Sequence, residues 1–186
     1  MSNEAGKIPF RMMDGSDTTL DAFRGKVVLA VNVASQCGLT PQYEGLERLF
    51  EDKRAAGLVV IGFPSNDFGA QEPGSNEEIA AFCTTRFNVA FPLAQKLSVK
   101  GAQQHPLYAA LTHARPQALD TADGAMRAKL EQYGVKQENP ADVLWNFEKF
   151  LVGRDGSIVG RFNPDVTPDD PALVEAIERE LAKPAA

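Results

Sequence analysis

The 186-residue chain has little of what would announce a function at once: two cysteines, two histidines and one tryptophan. Cys37 and Cys83 lie far apart, so the Cys-X-X-Cys pair of a dithiol oxidoreductase is missing. Structural zinc takes four ligands, and two distant cysteines with His105 and His113 in unrelated contexts do not provide them. No metal and no other cofactor is expected. Neither histidine stands in a triad-like context, which argues against a cysteine protease and leaves both as surface or capping residues. Basic residues never run longer than two and the net charge is −6, so neither nucleic acid nor an anionic membrane is expected as a main partner. No apolar run approaches the roughly 20 residues of a membrane span, and the opening MSNEAGKIPFRMMDG has no stretch of signal-peptide character. A reducing, cytoplasmic setting is therefore expected, in which thiols are more often reactive or catalytic than structural.

What is present is an ordinary globular composition, 44% apolar and 24% charged. A chain of this length is most simply one domain and can bury about 70% of its unfolded surface. Residues 7–20 read as a short hairpin turning at Asp14-Gly15-Ser16. KVVLAVNV, from Lys26 to Val33, is a β-branched run without alternation, as expected of a strand buried on both faces. Thr40 is expected to cap a helix with Pro41 at its first position, and Tyr43, Leu46, Leu49 and Phe50 follow the helical period up to Gly57. LVVIGF, from Leu58, is a second buried strand, and Ser75 with Glu78 forms a capping box ahead of a helix reaching about Phe87. A short strand near Phe91–Leu93 and a helix from Pro106 to about Ala114 follow. Residues 115–142 hold prolines, a Thr-Ala-Asp-Gly turn and an amphipathic piece near Met126–Tyr133, and read as a surface insertion. Strands over 147–152 and 157–162, joined by a four-residue loop, precede a terminal helix capped at Thr167–Asp170 and ending near Lys183. The order predicts an α/β thioredoxin-like fold, a central mixed sheet flanked by helices with an N-terminal hairpin.

Cys37, in NVASQCGLTP, lies between a strand end and a helix start. A buried cysteine is often no more than a small hydrophobe. At a helix start, however, free backbone N–H groups and the positive end of the helix dipole favour a thiolate. With no second thiol nearby, no partner histidine and no metal spacing, a thiolate assisted by neutral donors remains, which is a peroxidase design.

Three blocks, VNVASQCGLTPQY, GFPSNDFGAQEPGSNEEI and LWNFEKFLVGRDG, resemble in order and spacing the signature segments of the glutathione peroxidase family. FCTTRF makes the chain similar to its bacterial, cysteine-containing, BtuE-type branch. The resemblance runs from about residue 7 to the terminal helix. It implies a catalytic tetrad of Cys37, Gln71, Trp145 and Asn146, with Cys37 attacking a hydroperoxide and becoming a sulfenic acid. The residue types suit that task, since two side-chain amides and an indole offer neutral N–H donors to a thiolate and to a peroxide. Taken singly, Trp145 would be read as core packing, and Gln71 and Asn146 as loop residues.

The resemblance also implies a resolving cysteine on the helix after QEPG, where Cys83 stands, although many relatives place it one residue later. That shift turns a side chain by about 100 degrees, so the helix is expected to unwind in part before a Cys37–Cys83 disulfide forms. Ser65 occupies a position where many relatives carry a third cysteine. Thioredoxin is the expected reductant and glutathione the alternative. No arginine cluster marks a site for glutathione's carboxylates, and Arg86 and Arg161 are the nearest candidates along the chain. A peroxide sensor that passes oxidation to a partner protein, and a thioredoxin-fold binding module without catalysis, are the rival functions. Peroxide preference and oligomeric state are left open at this level.

Overall fold

The structure is a computed structural model and describes residues 4–119 and 124–185. A single turn of helix, α1 (Glu4–Lys7), which the sequence reading did not anticipate, precedes the hairpin β1 (Phe10–Arg11) and β2 (Asp17–Thr18). Phe10 pairs with Thr18, and the Ser16 N–H donates to the Asp14 carboxylate at 2.9 Å, which closes the turn.

The main sheet has four strands, β3 (Val27–Val33), β4 (Leu58–Pro64), β5 (Lys149–Val152) and β6 (Ile158–Phe162), in the order β4-β3-β5-β6. β3 is parallel to β4 through the helix α2 (Gln42–Lys53) and antiparallel to β5, and β5 is antiparallel to β6. All seven residues of β3 are buried, as its unbroken apolar run predicts. Val27, Leu29, Val31 and Val33 face one core with Leu46, Phe50 and Ile177 from α2 and the terminal helix α6 (Pro171–Leu181). Val28 and Ala30 face the other core, with Phe150 and with Leu107 and Leu111 of α4 (Pro106–Ala114). The expected mixed sheet with helices on both faces is observed.

Residues near 91–93 do not extend into a strand. Leu93 bridges Gly62 and Ala94 bridges Met12, so this piece stitches the hairpin to the edge of β4. Pro92 accepts there, its carbonyl taking the Gly62 N–H at 3.0 Å, but it has no N–H to prolong a ladder. The helix expected near Met126 is α5 (Ala125–Gln132), and of the Thr-Ala-Asp-Gly turn before it, 121–123 lie outside the described residues.

His105 is a cap, as expected: its Nδ1 accepts the Leu107 N–H at 3.0 Å at the start of α4. Only the imidazole with a free Nδ1 lone pair can do this, and burial holds the His105 pKa below its ordinary value. A depressed folded pKa gives stability that is present above the unfolded pKa and lost as pH falls through the folded one. His105→Ala should cost about 1 kcal/mol at pH 8 and visibly less at pH 5, read from denaturant midpoints at both values.

Candidate active site

Cys37 lies four residues past the end of β3, and its loop is pinned from several sides. Thr40 does not cap α2, which begins at Gln42 with Pro41 at the N-cap. The Thr40 hydroxyl turns back instead, accepting the Cys37 N–H at 2.9 Å and donating to the Ala34 carbonyl at 2.8 Å. Successive three-residue turns cause the difference: Thr40 N–H to Cys37 O, Gln42 N–H to Leu39 O and Tyr43 N–H to Thr40 O. They wind the chain tightly ahead of α2 and aim the Leu39 N–H at the Cys37 sulfur, 3.3 Å away. Cys37 is 8% exposed, packed on most of its surface.

Gln71 follows Gly69 and Ala70, both with positive φ, at 66° and 52°. At Gly69 the positive φ is what favours glycine, since a Cβ there would only make ordinary contact with the Trp145 ring and the Gln71 side chain. The Gln71 carbonyl accepts the Gln36 N–H at 3.0 Å, which fastens the Gln71 loop to the Cys37 loop. The Gln71 Oε1 accepts from Asn146 Nδ2 at 2.9 Å. With that oxygen engaged, the other end of the Gln71 amide is a donor.

Trp145 and Asn146 come just before β5. Trp145 is half-buried and packs against each of the three apolar clusters among the described residues, two of them shared with Leu39 beside Cys37 and one containing Leu130 of α5. Phe68 lies 5.4 Å from its ring. Asn146 is fully buried and is followed by Phe147 at φ 70°, a left-handed conformation that a bulky residue keeps only when its surroundings impose it. Asn32 does so. Its side-chain Nδ2 donates to the Trp145 carbonyl at 3.0 Å, and its backbone carbonyl accepts the Phe147 N–H at 2.6 Å. Sequence reasoning passed over Asn32, although one polar side chain in an otherwise apolar strand was the available signal.

The tetrad expected from the sequence thus converges: the Cys37 and Gln71 loops are tied by backbone, Gln71 and Asn146 by side chains, and Trp145 by packing. Cys83 lies apart on α3 (Asn76–Phe87), a helix held at its N-terminus by the predicted Ser75–Glu78 capping box. Both cysteines are free thiols and share one core cluster. Cys83 is 1% exposed, and burial pushes its thiol up to about 11, with Glu72 adding to the rise. The Tyr43 hydroxyl opposes that rise as a donor near the sulfur, though not in ordinary hydrogen-bond geometry.

Arg161 is removed from the candidates for binding an anionic reductant. It is buried and paired with Glu148 at 2.7 Å, its donors spent inside the protein. Arg86 is exposed on α3 and lies over the Phe82 ring at 5.8 Å. Among the described residues no group of three or more metal-ligating side chains occurs, and no helix is long and apolar enough to cross a membrane.

The sequence model described as glutathione peroxidase matches residues 7–112. The chain is 50% identical over 171 residues to a thioredoxin/glutathione peroxidase, BtuE, of Escherichia coli, covering 92% of this chain and 93% of that one. It is 45% identical over 159 residues to a hydroperoxy fatty acid reductase of Synechocystis, with 85% of each covered. Among solved structures, Trgpx in its apo form superposes with a TM-score of 0.71 at 30% identity over the whole of both chains. A thioredoxin-family thiol:disulfide interchange protein of Chlorobium tepidum shares the fold alone, at TM-score 0.62 and 10% identity over 94% of this chain and 93% of that one. With a pinned cysteine, two coupled amides and an indole gathered on a thioredoxin-like frame, the chain belongs to the glutathione peroxidase family and is a peroxidase.

Proposed function

We propose that the protein reduces hydrogen peroxide and organic hydroperoxides through a Cys37 sulfenic acid, resolves it with Cys83 and is recycled by thioredoxin. The observation that carries the first step is the Asn146–Gln71 bond, which leaves Gln71 to offer donors beside the Cys37 loop. The Cys37 thiolate attacks the nearer peroxide oxygen: an S–O bond forms, the O–O bond breaks, and sulfur gives up two electrons. The leaving oxygen takes the proton that the thiol gave up and departs as water or an alcohol. N–H donors around the sulfur stabilise the negative charge as it passes from sulfur to oxygen. The hydroperoxy fatty acid reductase named among the relatives supports organic hydroperoxides as substrates alongside hydrogen peroxide.

In the second step the Cys83 sulfur attacks the Cys37 sulfur, an S–S bond forms, and the S–O bond breaks to release water. Cys83 sits in the last turns of α3, whose C-cap, Asn88, has left-handed backbone, whereas the capping box holds the other end. The helix can therefore unwind from Asn88 back to Cys83 while its N-terminus stays in place. Thioredoxin then reduces the disulfide through its own dithiol. A reducing, cytoplasmic setting fits a cycle that returns to two free thiols. Thioredoxin is favoured over glutathione because Arg161 is committed inside the protein and Arg86 stands alone of the two candidate arginines.

Steady-state turnover with thioredoxin and with glutathione, in the wild type and in Cys83→Ser, tests the reading. Expected are turnover with thioredoxin that Cys83→Ser lowers at least about tenfold, and a Cys37–Cys83 linked peptide after peroxide treatment. A large preference for glutathione, unaffected by Cys83→Ser, would overturn it. Slow turnover together with a long-lived mixed disulfide to one protein would identify a sensor.

A further inference from the structure

Between the Cys37 loop and α3 lies a cavity of about 190 Å³ lined by Ser35, Gln36, Glu72, Ile79 and Phe82, among others. Glu72 is 1% exposed, and its Oε1 accepts the Ser35 N–H at 3.1 Å. Its Oε2 is fully buried and has no hydrogen-bond partner. A buried carboxyl with one oxygen unpartnered costs stability, and such an exception calls for an explanation. Its backbone is held from other directions as well, the N–H donating to Asn66 Oδ1 at 2.9 Å and the carbonyl accepting from Lys96 Nζ at 3.2 Å.

The placement has a consequence for the resolving thiol. Glu72 is fastened to Ser35, and Gln71 to Gln36, so the carboxyl travels with the loop that carries Cys37. The α3 wall of the cavity that Glu72 lines includes Ile79, one turn before Cys83, and Phe82, its immediate neighbour, so a thiol moving from α3 to the Cys37 loop passes this carboxyl. Cys83 already lies within electrostatic reach of Glu72 in the resting fold, as does the buried Tyr43 hydroxyl.

We infer that Glu72 is the proton carrier of the resolving step: its free oxygen takes the Cys83 thiol proton and returns it to the hydroxide that leaves Cys37. The inference rests on the reading that Cys83 resolves Cys37. Atoms balance within the protein: Cys83–SH and Cys37–SOH become one disulfide and one water, and Glu72 ends as it began. A carrier is needed because even an unburied thiol, which titrates at about 8.5, is mostly protonated at neutral pH. Burial raises the Glu72 carboxyl above its ordinary range, with Ser35 and Lys96 opposing, which brings it closer to the thiol it must deprotonate. The groups facing it are Ser35 on the Cys37 loop, Tyr43 on α2, Cys83 on α3 and Lys96, with Glu78 on the cavity wall.

Stopped-flow Trp145 fluorescence on the full chain separates a peroxide-dependent oxidation phase from a peroxide-independent disulfide phase. In Glu72→Gln the disulfide phase should slow about 100-fold relative to the oxidation phase. Both phases slowing together would show that Glu72 merely holds the loop, and an unslowed disulfide phase would show that it carries no proton. Either result overturns the inference. The wild type gives a second measurement that needs no substitution. Its disulfide phase should rise with pH as Glu72 ionises and then level off, whereas a tenfold rise per pH unit continuing through the ordinary thiol range at about 8.5 overturns the inference, because that is direct ionisation of the thiol. If the wild type forms no Cys37–Cys83 disulfide at all, the resolving reading itself fails, which a linked-peptide map distinguishes from an idle Glu72.

Discussion

Asn146→Ala should oxidise Cys37 about 10²–10³-fold more slowly than the wild type at equal peroxide, the usual cost of losing one positioned donor from a site where charge develops. Two losses combine. The amide that donates to Gln71 Oε1 at 2.9 Å disappears, and the Gln71 side chain, no longer held, can turn its oxygen instead of its N–H groups toward the sulfur. A carbonyl oxygen facing a thiolate repels it, so the damage exceeds a missing contact. The backbone should hold, because Asn32 fixes the loop through the Trp145 carbonyl and the Phe147 N–H, bonds that do not involve the Asn146 side chain. Second-order rate constants from single-turnover oxidation are the measurement, with circular dichroism to confirm the fold. Asn146→Asp separates the two effects, since a carboxylate keeps the size but offers no donor. It should be at least as slow as alanine, and an aspartate variant near the wild-type rate would remove Asn146 from the donor set.

Much of this site was legible in the sequence because its parts sit at element boundaries that sequence marks well. The apolar run before Cys37 ends in a loop, the Ser75–Glu78 box fixes where α3 begins, and the positions of Gln71, Trp145 and Asn146 follow from motifs. What escaped was the set of long-range hydrogen bonds that makes these parts one site. Thr40 looks like a helix cap because threonine before proline usually is one, and the tertiary need to hold Cys37 redirected its hydroxyl. Asn32 sits in a strand whose neighbours are all apolar, and its partners are more than a hundred residues away. Arg161 reads as a surface cation in Gly160-Arg161-Phe162, and only the assembled sheet shows it pointing inward.

That arginine carries the largest stability expectation. Arg161 and Glu148 have side chains 1% and 0% exposed and meet at 2.7 Å. The guanidinium also donates to the Arg115 carbonyl at 2.7 Å and the Asp142 carbonyl at 2.9 Å, the two ends of segment 115–142. Glu148 accepts the Leu144 N–H at 2.9 Å with its other oxygen. One ion pair therefore ties off both ends of the segment whose helix α5 supplies Met126 and Leu130 to the cluster that Trp145 packs against. Arg161→Met should cost about 3–5 kcal/mol, because it strands a buried carboxylate and leaves two carbonyls without donors. Glu148→Gln should cost a comparable amount, since its single amide oxygen can accept from Leu144 or from the guanidinium but not both, and the buried guanidinium loses its counter-charge. A double variant, Glu148→Leu with Arg161→Met, should recover part of the loss by removing both charges together. Urea denaturation of these variants and of Glu148→Leu alone closes the cycle. Near-additive costs in the double variant would mean that the pair is not coupled as its geometry requires. Where Arg161→Met remains folded at low temperature, its peroxide oxidation should slow as well, since the segment that carries the Met126, Leu130 and Leu144 cluster against Trp145 is no longer held at its ends.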